Sequence, residues 1–167
     1  GTLLGTEFVN ETDLPAGYSI DYNYQSNNQI ALVSSGSPYQ TWAGSKGLNA
    51  TNDGPADDPD GDGIANLAEF AFDDEPLSGT SSGKIVSKIE TLSGNPYLTL
   101  TLPVRDGAVV SGPGDLVSAP VAGVTYTIQG STDLAGFTAM NLVEVTPALS
   151  AGLPALSSGW SYRSFRT

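Results

Sequence analysis

The 167-residue chain carries 18 acidic and 6 basic side chains, which gives a formal net charge of −12, and it contains no cysteine and no histidine. The negative charge argues against binding to nucleic acid or to an anionic membrane, and the two missing residue types exclude disulfides, thiolate metal sites and Ser-His-Asp catalysis. Because no run of about 18 apolar residues is present, we expect a soluble or processed mature protein without membrane insertion.

Residues 1–35 are predicted to form strands. Apolar and polar side chains alternate over residues 18–24, and a Gln-Ser-Asn-Asn turn leads into a second apolar run over residues 29–34, so this region predicts a β-hairpin. The apolar stretch over residues 3–9 precedes it. We expect this stretch either to pair within the main β-structure or to act as an intersubunit strand.

Residues 36–78 are predicted to form two short helices around a loop, and the first helix has clear start and stop signals. Ser37 and Gln40 are spaced as a capping box, and Pro38 suits the first helical position. Gly47 is a typical left-handed terminator. A helix over residues 37–47 is therefore expected.

The second helix is predicted to start at Asn66 and to end near Asp73. We expect Asn66 to cap this helix together with Glu69. Its apolar stripe includes Phe70, which is expected to pack against Trp42 of the first helix. The loop between the helices would then be held at both ends.

Residues 79–167 are predicted to form further strands. Strand-like alternation recurs at 97–102, 124–129, 141–145 and 160–165, with turn residues between these stretches. In residues 97–102 the three leucines are expected to face inwards and the threonines outwards. The pattern predicts a mainly β protein, an antiparallel β-sandwich of immunoglobulin-like or jelly-roll-like type, with the two helices as a small insertion.

Half of the acidic side chains lie close together in the helical region, where no lysine or arginine stands between Lys46 and Lys84. Like charges at this density repel one another and raise their own pKa values. We therefore expect a cation from outside the chain to be needed here. The nine residues are Asp53, Asp57, Asp58, Asp60, Asp62, Glu69, Asp73, Asp74 and Glu75.

Residues 58–69 match the twelve-residue calcium loop of an EF-hand, in which a hard divalent cation takes roughly six to eight oxygen ligands. Gly63 stands at the sixth position, where a sharp turn is needed. The sequence predicts Ca²⁺ as the cofactor, and one loop with one methionine in the chain favours a structural clamp over a sensor. The predicted metal ligands are Asp58, Asp60, Asp62, the carbonyl of Ile64, Asn66 and Glu69.

The segment YQTWAGSKGLNATNDGPADDPDGDGIANLAEFAF, residues 39–72, resembles the single-loop, dockerin-like or thrombospondin-type-3-like calcium segment near the C-termini of large secreted proteins from Verrucomicrobia and related bacteria. The strand segments after residue 96 resemble the β-sandwich that accompanies it. The resemblance covers roughly residues 38–166 and implies an exported, extracellular or cell-surface protein, with the ion-binding role on the six residues just named.

The chain departs from the resembled pattern in two ways. Dockerins carry two such loops and bind a partner through them, whereas this chain has one. Sequences of this kind also continue into one more strand of the Phe-Leu-Arg type, which does not follow Thr167. We call the predicted β-sandwich the β-body. We therefore expect that the β-body is a fragment or is completed by another chain.

Three functions are compatible with the sequence, and the first is a non-enzymatic structural module. It would be a calcium-stabilised surface, adhesion or filament subunit that associates with itself or with other surface proteins, by strand addition between edge strands.

The second function is a carbohydrate-binding accessory module of a secreted polysaccharide-degrading enzyme. In it Tyr18, Tyr22, Tyr24, Trp42 and Trp160 would stack on sugar rings. The third is an enzyme in which a carboxylate pair such as Glu7 and Asp21 hydrolyses glycosides, and this is the least supported of the three. We predict that the chain is not an enzyme and that it has no catalytic residue.

Overall fold

The computed structural model describes residues 18–26, 29–34, 36–132, 136–137 and 140–167. These residues form nine strands and two short helices, and all strand pairs are antiparallel. The strands are β1 (Tyr18–Tyr24), β2 (Gln29–Ser34), β3 (Val86–Leu92), β4 (Asn95–Arg105), β5 (Val110–Ser111), β6 (Leu116–Ser118), β7 (Thr127–Ile128), β8 (Val143–Val145) and β9 (Trp160–Arg166). The helices are α1 (Pro38–Ser45) and α2 (Asn66–Phe72). The prediction of a mainly β, antiparallel protein is confirmed.

The predicted hairpin over the first two strands is also confirmed. Tyr18 pairs with Ser34 and Ile20 pairs with Leu32, and the register shifts between Asp21 and Tyr24. Ile30 and Leu32 of β2 are exposed. The apolar stretch over residues 3–9, with its predicted intersubunit role, lies outside the described residues.

The main sheet has four strands in the order β3-β4-β9-β8, and a smaller sheet has the order β5-β6-β7. The long strand β4 pairs with β3 on one side and with β9 on the other, so β4 and β9 are the two inner strands of the larger sheet. One hydrophobic core includes Val104 of β4, Phe165 of β9, Leu116 of β6 and Ile128 of β7. No helix among the described residues is both long enough and apolar enough to cross a bilayer.

The predicted orientation of residues 97–102 is right for Leu102, which is buried, and for Leu100, which packs against the core, but it is wrong in two respects. Leu98 is 56% exposed, whereas Thr99 and Thr101 are buried. The Thr101 and Ser164 hydroxyl oxygens are 2.7 Å apart, and the Ser164 hydroxyl also accepts a hydrogen bond of 2.8 Å from the backbone of Leu149. Other parts of the protein therefore cover the threonine face of the strand, and the buried hydroxyl groups form hydrogen bonds within the protein. The alternation of residue types alone cannot reveal this.

Helix α1 forms from the local signals that predicted it. The Ser37 hydroxyl accepts a hydrogen bond from the Gln40 backbone, the Gln40 side chain accepts one from the Ser37 backbone, and Gly47 has φ +84°. The expected contact between the helices is present as well, with the Trp42 and Phe70 ring centroids 5.4 Å apart. Burying these rings holds α1 on α2.

The C-terminal end of α2 is fixed to the β-body by hydrogen bonds to its last carbonyl groups. The Trp160 indole N–H donates to the Phe70 carbonyl at 3.0 Å, and the Tyr126 hydroxyl donates to the Ala71 carbonyl at 2.7 Å. These carbonyls have no partner within a helix that ends here. Side chains of the β-body therefore complete the helix, and the helix becomes part of the core.

Helix α2 ends at Phe72 with Asp73 as its C-cap, close to the expected end. Asp73 forms a buried ion pair that the sequence did not predict. The Lys84 Nζ atom lies 2.9 Å from Asp73 Oδ2, and both side chains are buried. The backbone N–H of Ser157 donates to the same carboxylate oxygen at 2.8 Å. One carboxylate therefore joins the end of α2, the segment before β3 and the segment before β9.

We expect that Lys84→Met lowers the free energy of unfolding by about 3–5 kcal/mol, because it leaves the buried Asp73 carboxylate without its counter-charge. Urea unfolding in excess calcium measures the effect. Lys88→Met is the matched control, since Lys88 forms a partly exposed pair with Glu90 and its removal should cost less than about 1 kcal/mol. Equal losses in the two variants would contradict a central role for the Asp73–Lys84 pair.

Candidate metal centre

The loop before α2 brings three aspartates together. One carboxylate oxygen from each of Asp58, Asp60 and Asp62 lies within 4.8 Å of the others. Asp58 holds the turn with both oxygens, because Oδ1 accepts from the Gly61 N–H at 2.8 Å and Oδ2 accepts from the Gly63 N–H at 2.9 Å. The two glycines have φ of +76° and +91°, which residues with a Cβ rarely adopt.

The other two aspartates continue the same pattern of local bonds. Asp60 Oδ1 accepts from the Asp62 N–H at 3.2 Å, and Asp62 Oδ1 accepts from the Ile64 N–H at 2.7 Å. Asp60 and Asp62 thus each use one carboxylate oxygen to hold the backbone of the loop. Asp60 Oδ2 is buried and has no hydrogen-bond partner.

Asn66 does not cap α2, so that prediction is wrong. Ala65 is the N-cap residue and makes no side-chain bond to the helix. The Asn66 amide nitrogen instead donates to the carbonyls of Asn52 and Gly54, both at 2.9 Å. The first turn of the helix is thereby tied to the chain before the loop, and Asn66 Oδ1 stays buried without a partner.

Glu69 lies one helical turn further on and is only 2% exposed. Burial, together with the negative charges of Asp60, Asp62, Asp74 and Asp58, raises the pKa of Glu69 to about 7. Its Oε2 atom is buried and has no hydrogen-bond partner. The negative charges of the aspartates thus affect the pKa of Glu69, although Glu69 does not belong to the cluster of Asp58, Asp60 and Asp62.

The side chain of Ile64 is 40% exposed. Ile64 precedes the first turn of α2, so it does not share the helix face through which Phe70 and Ala71 enter the core. The predicted role of Ile64 concerns its backbone carbonyl, and that role stays a prediction.

Three buried oxygens without partners, Asp60 Oδ2, Asn66 Oδ1 and Glu69 Oε2, therefore belong to predicted ligand residues. In the part of the chain that the structure describes, no ion pair involves these residues, Asp58 or Asp62. Buried polar atoms are costly unless something satisfies them. A donor set of carboxylate and amide oxygens is the kind that hard cations bind, so the residues fit a metal ion.

The structure adds groups around the loop that the sequence did not reveal. The carbonyls of Asn52 and Gly54 position Asn66, and Asp74 adds negative charge near Glu69. Gly79 packs against the loop so closely that a Cβ there would lie 3.2 Å from the Asp62 Cβ. These contacts depend on the fold of the chain and have no local sequence signal.

Comparison of the chain with protein-family models, with curated proteins and with solved structures finds no match in any of the three. The resemblance to secreted bacterial calcium segments therefore rests on the motif residues alone.

We expect the stability of the metal-free protein to fall as pH rises from 5 to 8. The folded-state pKa of Glu69 is raised from about 4.5 to about 7, so the contribution of this group is complete below the lower value and is lost as pH passes the higher one. Glu69→Gln removes this dependence and should stabilise the metal-free protein at pH 8 by on the order of 3 kcal/mol. Urea unfolding in chelator across this pH range measures both effects.

Glu75→Gln is the control, because Glu75 is an exposed carboxylate beyond the same helix and is paired with Lys46. In the Glu75→Gln variant, the free energy of unfolding of the metal-free protein should depend on pH as it does in the unsubstituted protein. A metal-free protein whose stability is flat between pH 5 and pH 8 would contradict a buried, charge-crowded Glu69.

Proposed function

We propose that the loop binds Ca²⁺ and that the protein is a non-enzymatic structural module stabilised by this ion. The observation that carries the proposal is the set of three buried, unpartnered oxygens on predicted ligand residues. Calcium is favoured among metals because the loop offers oxygen ligands and the chain has no cysteine or histidine. Asp58, Asp60, Asp62, the Ile64 carbonyl, Asn66 and Glu69 would hold the ion.

A structural role is favoured over a sensing role by the way that the two helices are attached. Sensor loops open a helix pair when calcium binds. Here Trp42 packs on Phe70, and Trp160 and Tyr126 bind the carbonyls at the end of α2. Opening the pair would break this core, so the ion instead clamps the loop against a helix that cannot move freely.

For the β-body we propose a two-layer sandwich of the four-stranded and three-stranded sheets. The shared core supports this, because Leu102 and Phe165 of the larger sheet and Leu116 and Ile128 of the smaller sheet belong to one cluster. The helix–loop–helix segment joins the same cluster through Trp42 and Phe70 and would be an insertion at its side.

We place this module outside the cell, at the surface or in a filament. The proposal is supported by the resemblance of the loop to secreted calcium segments. Assembly by strand addition is part of it, because β3 is an edge strand whose Ile89 is exposed and the β1–β2 hairpin also exposes apolar side chains.

The alternative of a carbohydrate-binding module through stacked aromatic rings receives less support. The Trp42 ring is buried in the core, and the Arg105 guanidinium lies over the Trp160 ring at 4.0 Å. The side chains of Tyr18 and Tyr24 are outside the described part of the chain, and so is Glu7 of the carboxylate pair considered for an enzyme. Both alternatives stay predictions.

Calcium at 100 times its Kd should add about 2.7 kcal/mol to the free energy of unfolding. For a chain of this size that corresponds to a rise in Tm of roughly 5–10 °C. The double variant Asp58→Asn, Asp60→Asn should lose the rise, whereas Asp115→Asn, outside the loop, should keep it. Thermal unfolding with calcium and with chelator measures it, and an equal Tm in the two conditions would contradict the proposal.

Assembly is tested separately by electron microscopy and sedimentation velocity at high protein concentration with calcium. We expect filaments or larger assemblies. Uniform monomers would contradict assembly by strand addition but would leave the calcium-stabilised module intact.

A further inference from the structure

A cleft of about 920 Å³ lies between α1, the end of β4 and the start of β9. Among the described residues, its lining includes two of the six basic side chains of the chain and no acidic side chain. The two are Lys46, which pairs with Glu75, and Arg105. The protein as a whole has a net charge of −12. The cleft is separate from the acidic loop, none of whose aspartates lines it.

Two aromatic rings hold the Arg105 guanidinium in place. Its guanidinium centre lies 4.0 Å from the Trp160 ring centroid and 4.8 Å from the Phe70 ring centroid, so the two rings fix its position. Among the described residues no carboxylate forms an ion pair with Arg105, and its Nε atom is buried without a hydrogen-bond partner. A positioned guanidinium with free donors is suited to a carboxylate.

A second donor without a partner lines the same cleft. Trp42 is only 6% exposed, and its indole Nε1 is buried with no hydrogen-bond partner. An indole N–H in this position costs free energy unless an acceptor reaches it. Two independent side chains that line this cleft therefore carry buried N–H groups without a partner.

The rest of the lining favours a hydroxylated ligand over a peptide. Five hydroxyl side chains line the cleft. The Ser37 hydroxyl already accepts from the Gln40 backbone and the Ser45 hydroxyl already donates to the Trp42 carbonyl, but a hydroxyl that makes one such bond keeps further capacity for hydrogen bonds. Such a set matches the several hydroxyl groups of a sugar ring better than the apolar and amide groups of a peptide. The five are Ser37, Thr41, Ser45, Ser157 and Ser158.

We propose that this cleft binds a uronic acid unit of an acidic polysaccharide, with Arg105 receiving the carboxylate and Trp42 Nε1 donating to a ligand oxygen. The inference goes beyond the structural module and does not rest on calcium in the loop. Recognition here is by charge and hydrogen bonds, with Trp160 supporting the arginine.

Isothermal titration calorimetry with trigalacturonate tests the proposal, with the neutral trisaccharide galactotriose and an acidic tripeptide as the comparison ligands. Each titration is run in chelator as well as in calcium, because uronates can bind calcium themselves. We expect trigalacturonate to bind in both conditions and at least about tenfold more tightly than either comparison ligand. No binding at millimolar ligand, equal binding of galactotriose, or tighter binding of the peptide would each overturn the proposal.

Arg105→Lys keeps the charge but loses the planar pair of donors, and Trp42→Phe keeps a core ring but loses the indole N–H. Each should weaken trigalacturonate binding, the arginine variant by about tenfold or more. Arg166→Gln is the matched control, because Arg166 stacks on Tyr97 at 4.2 Å and lies outside the cleft. Wild-type affinity in both cleft variants, with folding verified by Tm, would overturn the assignment of the site.

Discussion

Repulsion among the carboxylates before and within α2 is the constraint on which the rest of the structure depends. The flanking lysines relieve it only at the margins, where Lys46 pairs with Glu75 and Lys84 pairs with Asp73. The aspartates of the loop and Glu69 have no such partner among the described residues. The three aspartates could therefore hold a metal ion, and their negative charge together with burial raises the pKa of Glu69.

Helix α2 connects the acidic loop to the hydrophobic core, because neighbouring residues of this helix belong to the one and to the other. Glu69 belongs to the acidic site, and Phe70 beside it is fully buried among Trp42 and Trp160. The helix has only seven residues and depends on side chains of the β-body for its last hydrogen bonds. A change at the loop can thus reach the core through this short helix, which is compatible with the proposed structural clamp.

How far the sequence could predict this structure depends on the range of each interaction. The capping box of Ser37 and Gln40 and the acidic loop are local, and both were found from spacing. The amide of Asn66 binds carbonyls 12 and 14 residues earlier, and Asp73 accepts from Ser157, 84 residues away. No local pattern indicates such partners. Alternation in β4 likewise predicted a strand but not which of its faces the chain covers.

Amide hydrogen exchange tests the central claim most directly, because it reports the protection of α2 residue by residue. The account predicts that calcium slows exchange across Asn66–Phe72 and at the Gly61, Gly63 and Ile64 amides that bind the aspartates. Protection should return to the metal-free level in the Asp58→Asn, Asp60→Asn variant. Exchange at these amides that is the same in calcium and in chelator would contradict the account.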